Sequence, residues 1–368
     1  MKYFRIYILF FFSITAIGGS AQTFNKVYYP KFETENAEGK KIGISVYNNN
    51  FVKNNEYFGN LNSGITYIGS ILKPEIVWKP VQNLNFKAGW YGRYFYGSNK
   101  IDASVPIISV SYEFLKNFTL NIGAINGDLR HEYLQPLYGI DNYFCKNPEY
   151  GVQLLYNSEK FYADIFMDWE NFIYPGDTNQ EIINGGLVAK YFLFDKKLSV
   201  NLQSVLRHYG GQVNNSNSLV TSAVNIAGGL NYSLQLGSKY LKQIELRAWA
   251  IQCTDLSSIG DMPYKQGYAV YAGVELSNDY CSLNLAWFNG KYYFAPLGEN
   301  VYQSISSINN WYLEDDKNLI QSSLLLHYPI ANGISIGVHF ESFYQILQNR
   351  FDFNYGLNLA INQTHFFK

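Results

Sequence analysis

The chain has 368 residues and a formal net charge of −1, and it is rich in aromatic residues (18%) but poor in charged ones (15%). Soluble domains usually carry about 25% charged residues, so this composition argues against an ordinary soluble protein, and the near-neutral charge offers no basic surface for nucleic acid. Three cysteines exclude a disulfide framework and allow at most one bridge, such as Cys145 to Cys253, while three unpaired thiols are the simpler expectation.

The N-terminus has the pattern of a secretory signal peptide. Lys2 and Arg5 precede a nearly unbroken apolar run from Ile6 to Ile17, and small residues ending at Ala21 provide a cleavage site. The apolar run is too short to span a membrane as a helix. Residues 1–21 are therefore predicted to be removed, and the loss of the two basic residues changes the net charge from −1 to −3.

From residue 41 onward, apolar and polar residues alternate with a period of two, which is typical of a strand with one apolar face. The last segment is the strictest, because every odd position from Phe351 to Ile361 is apolar and every even position is polar or small. Most segments are close to the roughly 9–11 residues that a tilted strand needs to cross a bilayer. The predicted strands are 41–52, 65–78, 84–96, 105–114, 118–127, 150–157, 161–172, 183–194, 198–209, 221–236, 242–253, 267–276, 280–290, 318–328, 334–344 and 351–363.

The first two predicted strands are the least certain part of this pattern. The alternation at 41–52 is weak, and 65–78 contains Pro74, which cannot donate a ladder hydrogen bond and predicts either a bulge or a misplaced strand boundary. Fourteen strands are therefore the alternative to sixteen. A closed barrel requires its first strand to pair with its last, so sixteen strands predict that 41–52 lies beside 351–363.

Connections between the predicted strands alternate between short and long. Turns such as 115–117 and 158–160 contrast with segments such as 128–149 and 291–317. In outer-membrane barrels the short turns lie in the periplasm and the long loops lie outside the cell. Residues 22–40 precede the first strand and are predicted to be a short, loose periplasmic leader.

Aromatic residues cluster at both ends of the predicted strands. Trp78 and Tyr328 lie near short turns, whereas Trp249 and Trp287 lie near long loops. Two such belts place amphipathic rings at the two membrane surfaces. A soluble sandwich or propeller has no reason for these belts. The predicted fold is an all-β, antiparallel transmembrane β-barrel of about 16 strands that covers residues 41–368.

With these features the sequence resembles the transmembrane β-barrels of Gram-negative outer membranes, porins in particular. The resemblance implies outer-membrane localisation, contact with outer-membrane lipid, and insertion by the barrel-assembly machinery, which reads a terminal aromatic residue. Phe366 and Phe367 provide that residue here, although Lys368 follows them and Gln363 and His365 replace the expected apolar residues.

The polar faces of the strands are predicted to line a lumen, because sixteen strands enclose an aqueous channel unless something fills it. Acidic and basic residues occur on different strands, which predicts a transverse field with weak ion selectivity. Ordinary ion pairs with no transport role are the alternative. The basic candidates are Lys87, Arg93, Arg207 and Arg247, and the acidic candidates are Glu113, Asp164, Asp168, Glu170 and Glu341.

The long segments 291–317 and 128–149 are the candidates for filling this lumen, and 128–149 is the candidate for a constriction. It begins with the charged sequence DLRHE, which supplies Asp128, Arg130, His131 and Glu132, and its apolar residues predict an ordered loop. The loop either folds inward to screen solutes or remains on the surface with ordinary ion pairs.

Little in the sequence indicates catalysis. No serine motif accompanies the five histidines, and no spacing resembles a zinc site. The segment DLRHE, with Asp128, His131 and Glu132 close in sequence, is the best remaining catalytic candidate. We therefore expect no enzyme, cofactor or metal, and a lipid hydrolase is the least favoured alternative. Passive diffusion of small hydrophilic solutes is the favoured function. A second alternative is a non-channel barrel whose loops bind a glycan or a surface or secretion partner, with Trp311 and Tyr312 either contacting it or packing within their loop.

Overall fold

The computed structural model describes residues 24–30, 41–211, 218–257, 262–309 and 312–367. The predicted signal peptide lies outside these residues. Two short 3₁₀ turns, Asp128–His131 and Asn300–Tyr302, occur in long loops. The other elements are α1 (Phe24–Tyr28), β1 (Lys41–Glu56), β2 (Thr66–Val81), β3 (Leu84–Phe95), β4 (Ala103–Leu115), β5 (Phe118–Ala124), α2 (Asp141–Cys145), β6 (Tyr150–Asn157), β7 (Phe161–Asn171), β8 (Glu181–Leu193), β9 (Leu198–Gly210), β10 (Thr221–Gln235), β11 (Gln243–Asp255), β12 (Gln266–Ser277), β13 (Cys281–Lys291), β14 (Asp316–Ala331), β15 (Ile334–Gln345) and β16 (Arg350–Phe366).

The sixteen strands form one closed antiparallel barrel in chain order. β1 pairs with β16, so that Asn48 lies opposite Ile361 and Glu56 lies opposite Phe353. Both of the least certain strands are therefore present, and the sixteen-strand prediction is confirmed over the fourteen-strand alternative. Closure leaves no unpaired sheet edge within the membrane.

Pro74 lies inside β2, and the register against the neighbouring strands does not shift at this residue. It pairs with Val46 of β1, whereas the ladder between β2 and β3 is interrupted at Pro74. This interruption suits a residue that has no N–H to donate. The register of β2 against β3 shifts elsewhere, between Trp78 and Val81.

The two faces of β16 show how the barrel uses the alternating pattern. Asp352, Asn354 and Asn358 point into the barrel and are buried, whereas Phe351 and Leu357 point outward and are about half exposed (51% and 52%). An outward apolar face suits lipid, and an inward polar face is typical of outer-membrane barrels. Among the described residues, no helix is long and apolar enough to cross a membrane.

Loop lengths differ between the two ends of the barrel, as the sequence predicts. Connections such as 82–83 and 116–117 are short, whereas 125–149 and 292–315 at the other end are long. The connection 346–349, between β15 and β16, is a short exception on the long-loop side. We call the long-loop end extracellular, following the general rule for such barrels.

Two extracellular loops, 125–149 and the described part of 292–315 (residues 292–309 and 312–315), fold into the barrel and contact each other; we call them the plug. The backbone N–H of Gly139 donates to Leu297 O at 2.7 Å, and the Tyr293 hydroxyl donates to Pro136 O at 2.9 Å. Leu137 is completely buried inside the barrel. The lumen is therefore occupied at this level by packed protein.

The described part of the predicted leader also lies inside the barrel, which differs from a loose periplasmic segment. In α1, the Tyr28 hydroxyl bonds His339 Nδ1 at 3.0 Å, and Asn358 Nδ2 donates to Val27 O at 3.0 Å. Tyr28 also packs against Phe144 of α2, with ring centroids 5.5 Å apart. Residues 24–30 therefore extend the packed interior beyond the plug.

Candidate functional site

The predicted basic residues of the lumen are mostly paired. Arg207 donates to both carboxylate oxygens of Glu170 at 2.8 Å, and Arg247 pairs with Glu245 at 2.6 Å and with Glu275. A bidentate or doubly paired guanidinium is held firmly and has little freedom to attract a passing ion. These residues act as cross-links between neighbouring strands.

Arg93 connects the barrel wall to the plug. Its Nε donates to Asp102 at 2.6 Å, and its two terminal nitrogens donate to the backbone carbonyls of Cys145 and Lys146. The same loop is anchored again where Lys146 donates to Glu170 at 2.6 Å. Arg93 is thus a structural anchor of the inward-folded loop.

His131 lies between two carboxylates in the interior. Its Nδ1 is 2.7 Å from Asp164 Oδ2, its Nε2 is 2.7 Å from Glu149 Oε2, and its ring stacks on Phe166 with centroids 3.8 Å apart. The side chain is completely buried. Both ring nitrogens are used and no substrate can reach them, so His131 holds the plug to the wall.

Charges explain the protonation of this cluster. Burial alone would lower the pKa of His131, but the carboxylates of Glu149 and Asp164 more than offset it and raise the pKa to about 10. Burial would likewise raise the pKa of Glu149, but the charged His131 and hydrogen bonds from Tyr138 and the Asp128 backbone lower it. The cluster therefore remains ionic at neutral pH.

The remaining candidates of the DLRHE segment are also paired within the interior. Asp128 accepts a hydrogen bond from the Tyr29 hydroxyl at 3.2 Å, Arg130 lies over the Tyr29 ring at 4.8 Å, and Glu132 pairs with Lys190. The loop thus folds inward, one of the two expected arrangements, and its charges face protein groups.

The other predicted lumen residues are spread along the wall. Asp168 accepts from Asn184 at 2.9 Å, and Glu341 accepts from Gln135 of the plug at 3.1 Å. Lys87 is half-buried and Glu113 is exposed near the turn end. Asp168 and Glu341 are thus bonded to amides, and the transverse field between a basic and an acidic side stays a prediction.

The predicted loop-binding residues are only partly described. Trp311 lies outside the described residues, and the Tyr312 hydroxyl donates to Glu314 at 3.2 Å. Cys145 is exposed and Cys253 is buried, and the two are free thiols. Binding of a glycan or protein partner by this loop stays a prediction.

A different arrangement lies on the outer surface of the barrel. His208 near the end of β9 and Ser222 at the start of β10 are directly opposite in the register, and Ser222 Oγ is 2.7 Å from His208 Nδ1. Both belong to the outward set of their strands, with Val200 and Ile226, which are about half exposed. We call Ser222 and His208 the rim pair, because they lie at the extracellular rim of the lipid-facing surface.

Local backbone features keep the rim pair in place. A Cβ on Gly210 would lie only 2.3 Å from His208 Nε2, so glycine leaves room for the imidazole edge. Glu181 of β8 lies directly opposite Gly210 and also belongs to the outward set. The described contacts include no ion pair between Glu181 and His208, and in the register Glu181 is two positions from Ile183, which lies opposite His208.

Exposed apolar residues lie near the rim pair, since Val220 is two residues before Ser222 and the Leu256 N–H donates to Ser222 O at 2.8 Å. Val220 and Leu256 are 52% and 57% exposed, and Leu219 is partly exposed. The backbone of Ser222 is fixed on its other side, where its N–H donates to Ser257 Oγ at 3.0 Å. A serine and a histidine in hydrogen-bond contact within an apolar rim have the composition of a site that acts on a lipid ester.

The sequence contained a signal for the rim pair, but not a motif. His208 lies on the outward face of β9 near the extracellular end, and the pairing of Tyr209 with Thr221 places Ser222 opposite it. A polar residue at an outward position of two adjacent strands is the available cue. Finding it requires the hairpin register, which the alternation alone does not give.

Comparison with known proteins identifies a family for almost the whole described barrel. A family model described as Lipid A 3'-O-deacylase-type matches residues 34–368. No curated protein sequence matches the chain. Because this family is named for an enzymatic reaction, the prediction that the protein is not an enzyme is wrong. The reason is physical: a barrel can assemble catalytic side chains across strands without any contiguous motif.

Solved structures with a similar fold are outer-membrane proteins. OccK2 (OpdF) of Pseudomonas aeruginosa has a TM-score of 0.54 at 11% identity, covering 89% of this chain and 99% of its own. A loop L8 deletion mutant of OmpT from Vibrio cholerae has a TM-score of 0.51 at 10% identity, covering 89% and 100%. OprD of Pseudomonas aeruginosa has a TM-score of 0.50 at 12% identity, covering 92% and 97%. These likenesses show the fold, and the protein is an outer-membrane β-barrel.

Proposed function

Because the chain belongs to the Lipid A 3'-O-deacylase-type family, we propose that it is a hydrolase that removes an ester-linked acyl chain from lipid A or a related outer-leaflet lipid. Ser222 is the nucleophile and His208 is the base. The observation that carries this assignment is the 2.7 Å contact between Ser222 Oγ and His208 Nδ1 on the lipid-facing rim. A serine needs such a neighbouring base to become nucleophilic at neutral pH.

The chemistry follows the general scheme of serine acyl transfer. His208 takes the Ser222 hydroxyl proton as Oγ attacks the ester carbonyl carbon, and the imidazolium then returns that proton to the departing sugar alkoxide. Water next attacks the acyl-serine, again with His208 as base. The products are the deacylated lipid and a free fatty acid, and the serine is regenerated.

The position of the rim pair suits a lipid substrate. An ester bond of an outer-leaflet lipid lies between the polar headgroup and the hydrocarbon, which is the depth at which an outward residue on the extracellular rim meets lipid. Val220 and Leu256 offer apolar contacts for the acyl chain. Glu181 lies where it can orient the imidazole when substrate is bound.

The alternative of passive solute diffusion requires an open lumen. Within the described residues, the plug and α1 fill the barrel, and Leu137 and Tyr293 are completely buried there. The structural likeness to OprD and OccK2 supports a porin-like fold only. The outward rim pair therefore supports the proposed function better than the lumen supports transport.

The test is a change in lipid A. The full-length protein, or its Ser222→Ala variant, is expressed in a Gram-negative host, and lipid A is extracted and analysed by mass spectrometry. We expect the wild-type protein to produce lipid A that lacks one acyl chain, and Ser222→Ala to leave lipid A unchanged.

The matched control is Ser322→Ala. Ser322 also lies on the outward face and bonds another hydroxyl, Ser342 Oγ, at 2.7 Å, with no histidine in this contact. This variant should deacylate like the wild type. Two negative results together would overturn the proposed function. Lipid A would be unchanged in a host that expresses the wild-type protein, and the purified protein would release no fatty acid from phospholipid vesicles.

A further inference from the structure

The outward face of β1 carries three amides where the other strands carry mainly apolar residues. Asn48, Asn50 and Asn54 share the outward register with Ile42 and Ile44, which are about half exposed. We call these three residues the asparagine stripe. The alternation of β1 is weak in the sequence for two reasons. The outward positions include the three asparagines, and the lumen-facing positions include the buried rings of Tyr47 and Phe51.

Asn48 lies deep in the membrane-spanning part of the barrel. It is near the middle of the 16-residue β1, and its neighbours across the sheet are Leu72 of β2 and Ile361 of β16. No water is present at this depth to satisfy an amide, so polar groups facing hydrocarbon are costly. Such a group therefore marks a surface that meets something other than lipid tails.

Hydrogen bonds within the sheet use some, but not all, of the donors and acceptors of the asparagine stripe. Asn48 Nδ2 donates to Ser70 Oγ and Ile71 O, and Asn48 Oδ1 accepts from Asn50 Nδ2 at 2.7 Å. The Tyr96 hydroxyl donates to Asn50 Oδ1 at 2.9 Å. An amide has two donors and two acceptor sites, so among the described contacts Asn50 retains one donor and one acceptor site.

We infer that the asparagine stripe docks a second copy of this chain. Two copies inserted with the same orientation bring their β1 strands together at the same depth in the membrane. Asn50 then meets Asn50 of the second copy, and the donor left on each amide faces the acceptor left on the other. A symmetric contact between two copies requires such a self-complementary group. Within the membrane, an amide that bonds another amide is favoured over an amide that faces hydrocarbon.

The arrangement is compatible with access to the rim pair. β9 is eight strands from β1 in either direction around the sixteen-strand barrel. A contact through β1 therefore leaves Ser222 and His208 on the opposite side, facing lipid. The dimer does not depend on the proposed function, and either can fail without the other.

The experiment measures the dissociation constant of the full-length protein in detergent micelles by sedimentation. We expect a dimer, and the double variant Asn48→Leu with Asn50→Leu should weaken association by about tenfold or more, the effect of losing one or two interior polar contacts. Ser322→Ala with Ser342→Ala removes another outward polar pair and should leave association unchanged.

A second measurement does not require the leucine variant to fold. Asn50→Cys, placed in a Cys145→Ser and Cys281→Ser background, should form an intermolecular disulfide under mild oxidation in outer-membrane vesicles, whereas Ile226→Cys on the opposite side should not. A wild-type protein that sediments as a monomer at all concentrations, or that cross-links equally through both cysteines, would overturn the inference.

Discussion

Two histidines of the barrel have opposite environments. His131 is completely buried, and both of its ring nitrogens bond carboxylates. His208 lies on the lipid-facing rim, where one nitrogen contacts a serine and the other lies over a glycine. His131, which is bonded to two carboxylates, therefore stabilises the fold. His208 contacts only Ser222 through its side chain among the described hydrogen bonds and is available as the base of the proposed reaction. The proposed function therefore places catalysis at the rim pair and not at the dense cluster of titratable residues around His131.

The largest expected effect concerns His208. His208→Ala removes the base that activates Ser222, so turnover of an ester-linked lipid should fall at least about 100-fold, while the free energy of unfolding changes little. Fatty acid release from lipid A in detergent micelles measures turnover, and urea unfolding measures stability. A variant that is inactive only because it is unfolded would fail to support the comparison.

The next effect concerns His131. His131→Ala leaves Glu149 and Asp164 as unpaired buried carboxylates, and breaking a buried ion pair typically costs about 3–5 kcal/mol. The variant should unfold at lower urea concentration, yet the folded fraction should retain wild-type turnover per molecule. The control is His365→Ala, an exposed histidine on β16 whose removal should cost little. If fully folded His131→Ala lost turnover, the interior cluster around His131 would belong to the catalytic site.

A pH profile separates the two regions further. The pKa of His131 is raised from a usual value of about 6.5 to about 10, so its contribution to stability is fully present below about pH 6.5 and is lost as the pH rises through about 10. The lowered pKa of Glu149 acts in the other direction, and its contribution is lost as the pH falls below about 4. The free energy of unfolding should therefore decline on both sides, and His131→Gln should flatten the alkaline decline.

The smallest expected effect concerns α1. Tyr28→Phe removes the hydroxyl that bonds His339 Nδ1 but keeps the ring that packs against Phe144. Loss of one such hydrogen bond should cost about 1 kcal/mol, and turnover should not change. Equal urea midpoints for Tyr28→Phe and the wild type would show that α1 does not contribute to stability through this contact.

The fold was largely predictable, because alternation is a direct consequence of having lipid on one face of a strand and polar groups on the other. Phe351 to Ile361 illustrates this, and the pairing of β1 with β16 followed from closure. β1 was less certain because the asparagine stripe faces outward. The sequence could not assign Arg93 its backbone partners in the plug, because those partners come from a loop that is distant in the chain.

The site was much less predictable, because its residues come from different strands. Ser222 and His208 meet only through the register across a long loop. Segments 128–149 and 291–317 were candidates for filling the lumen, and the loops described there do fold inward. The inward position of α1 was not anticipated, because alternation reports the faces of strands and carries no information about what fills the space between them. Catalysis was dismissed for a related reason: a search for contiguous motifs does not detect contacts between strands.

The most direct test of the proposed roles of Ser222 and His208 is covalent labelling of Ser222. The full-length protein in detergent micelles is treated with a fluorophosphonate, which reacts with serines activated by a neighbouring base, and the labelled peptide is identified by mass spectrometry. We expect one phosphonylated serine, Ser222, with labelling lost in His208→Ala and preserved in His131→Gln. An unlabelled Ser222, or a label on a different serine that survives His208→Ala, would contradict it.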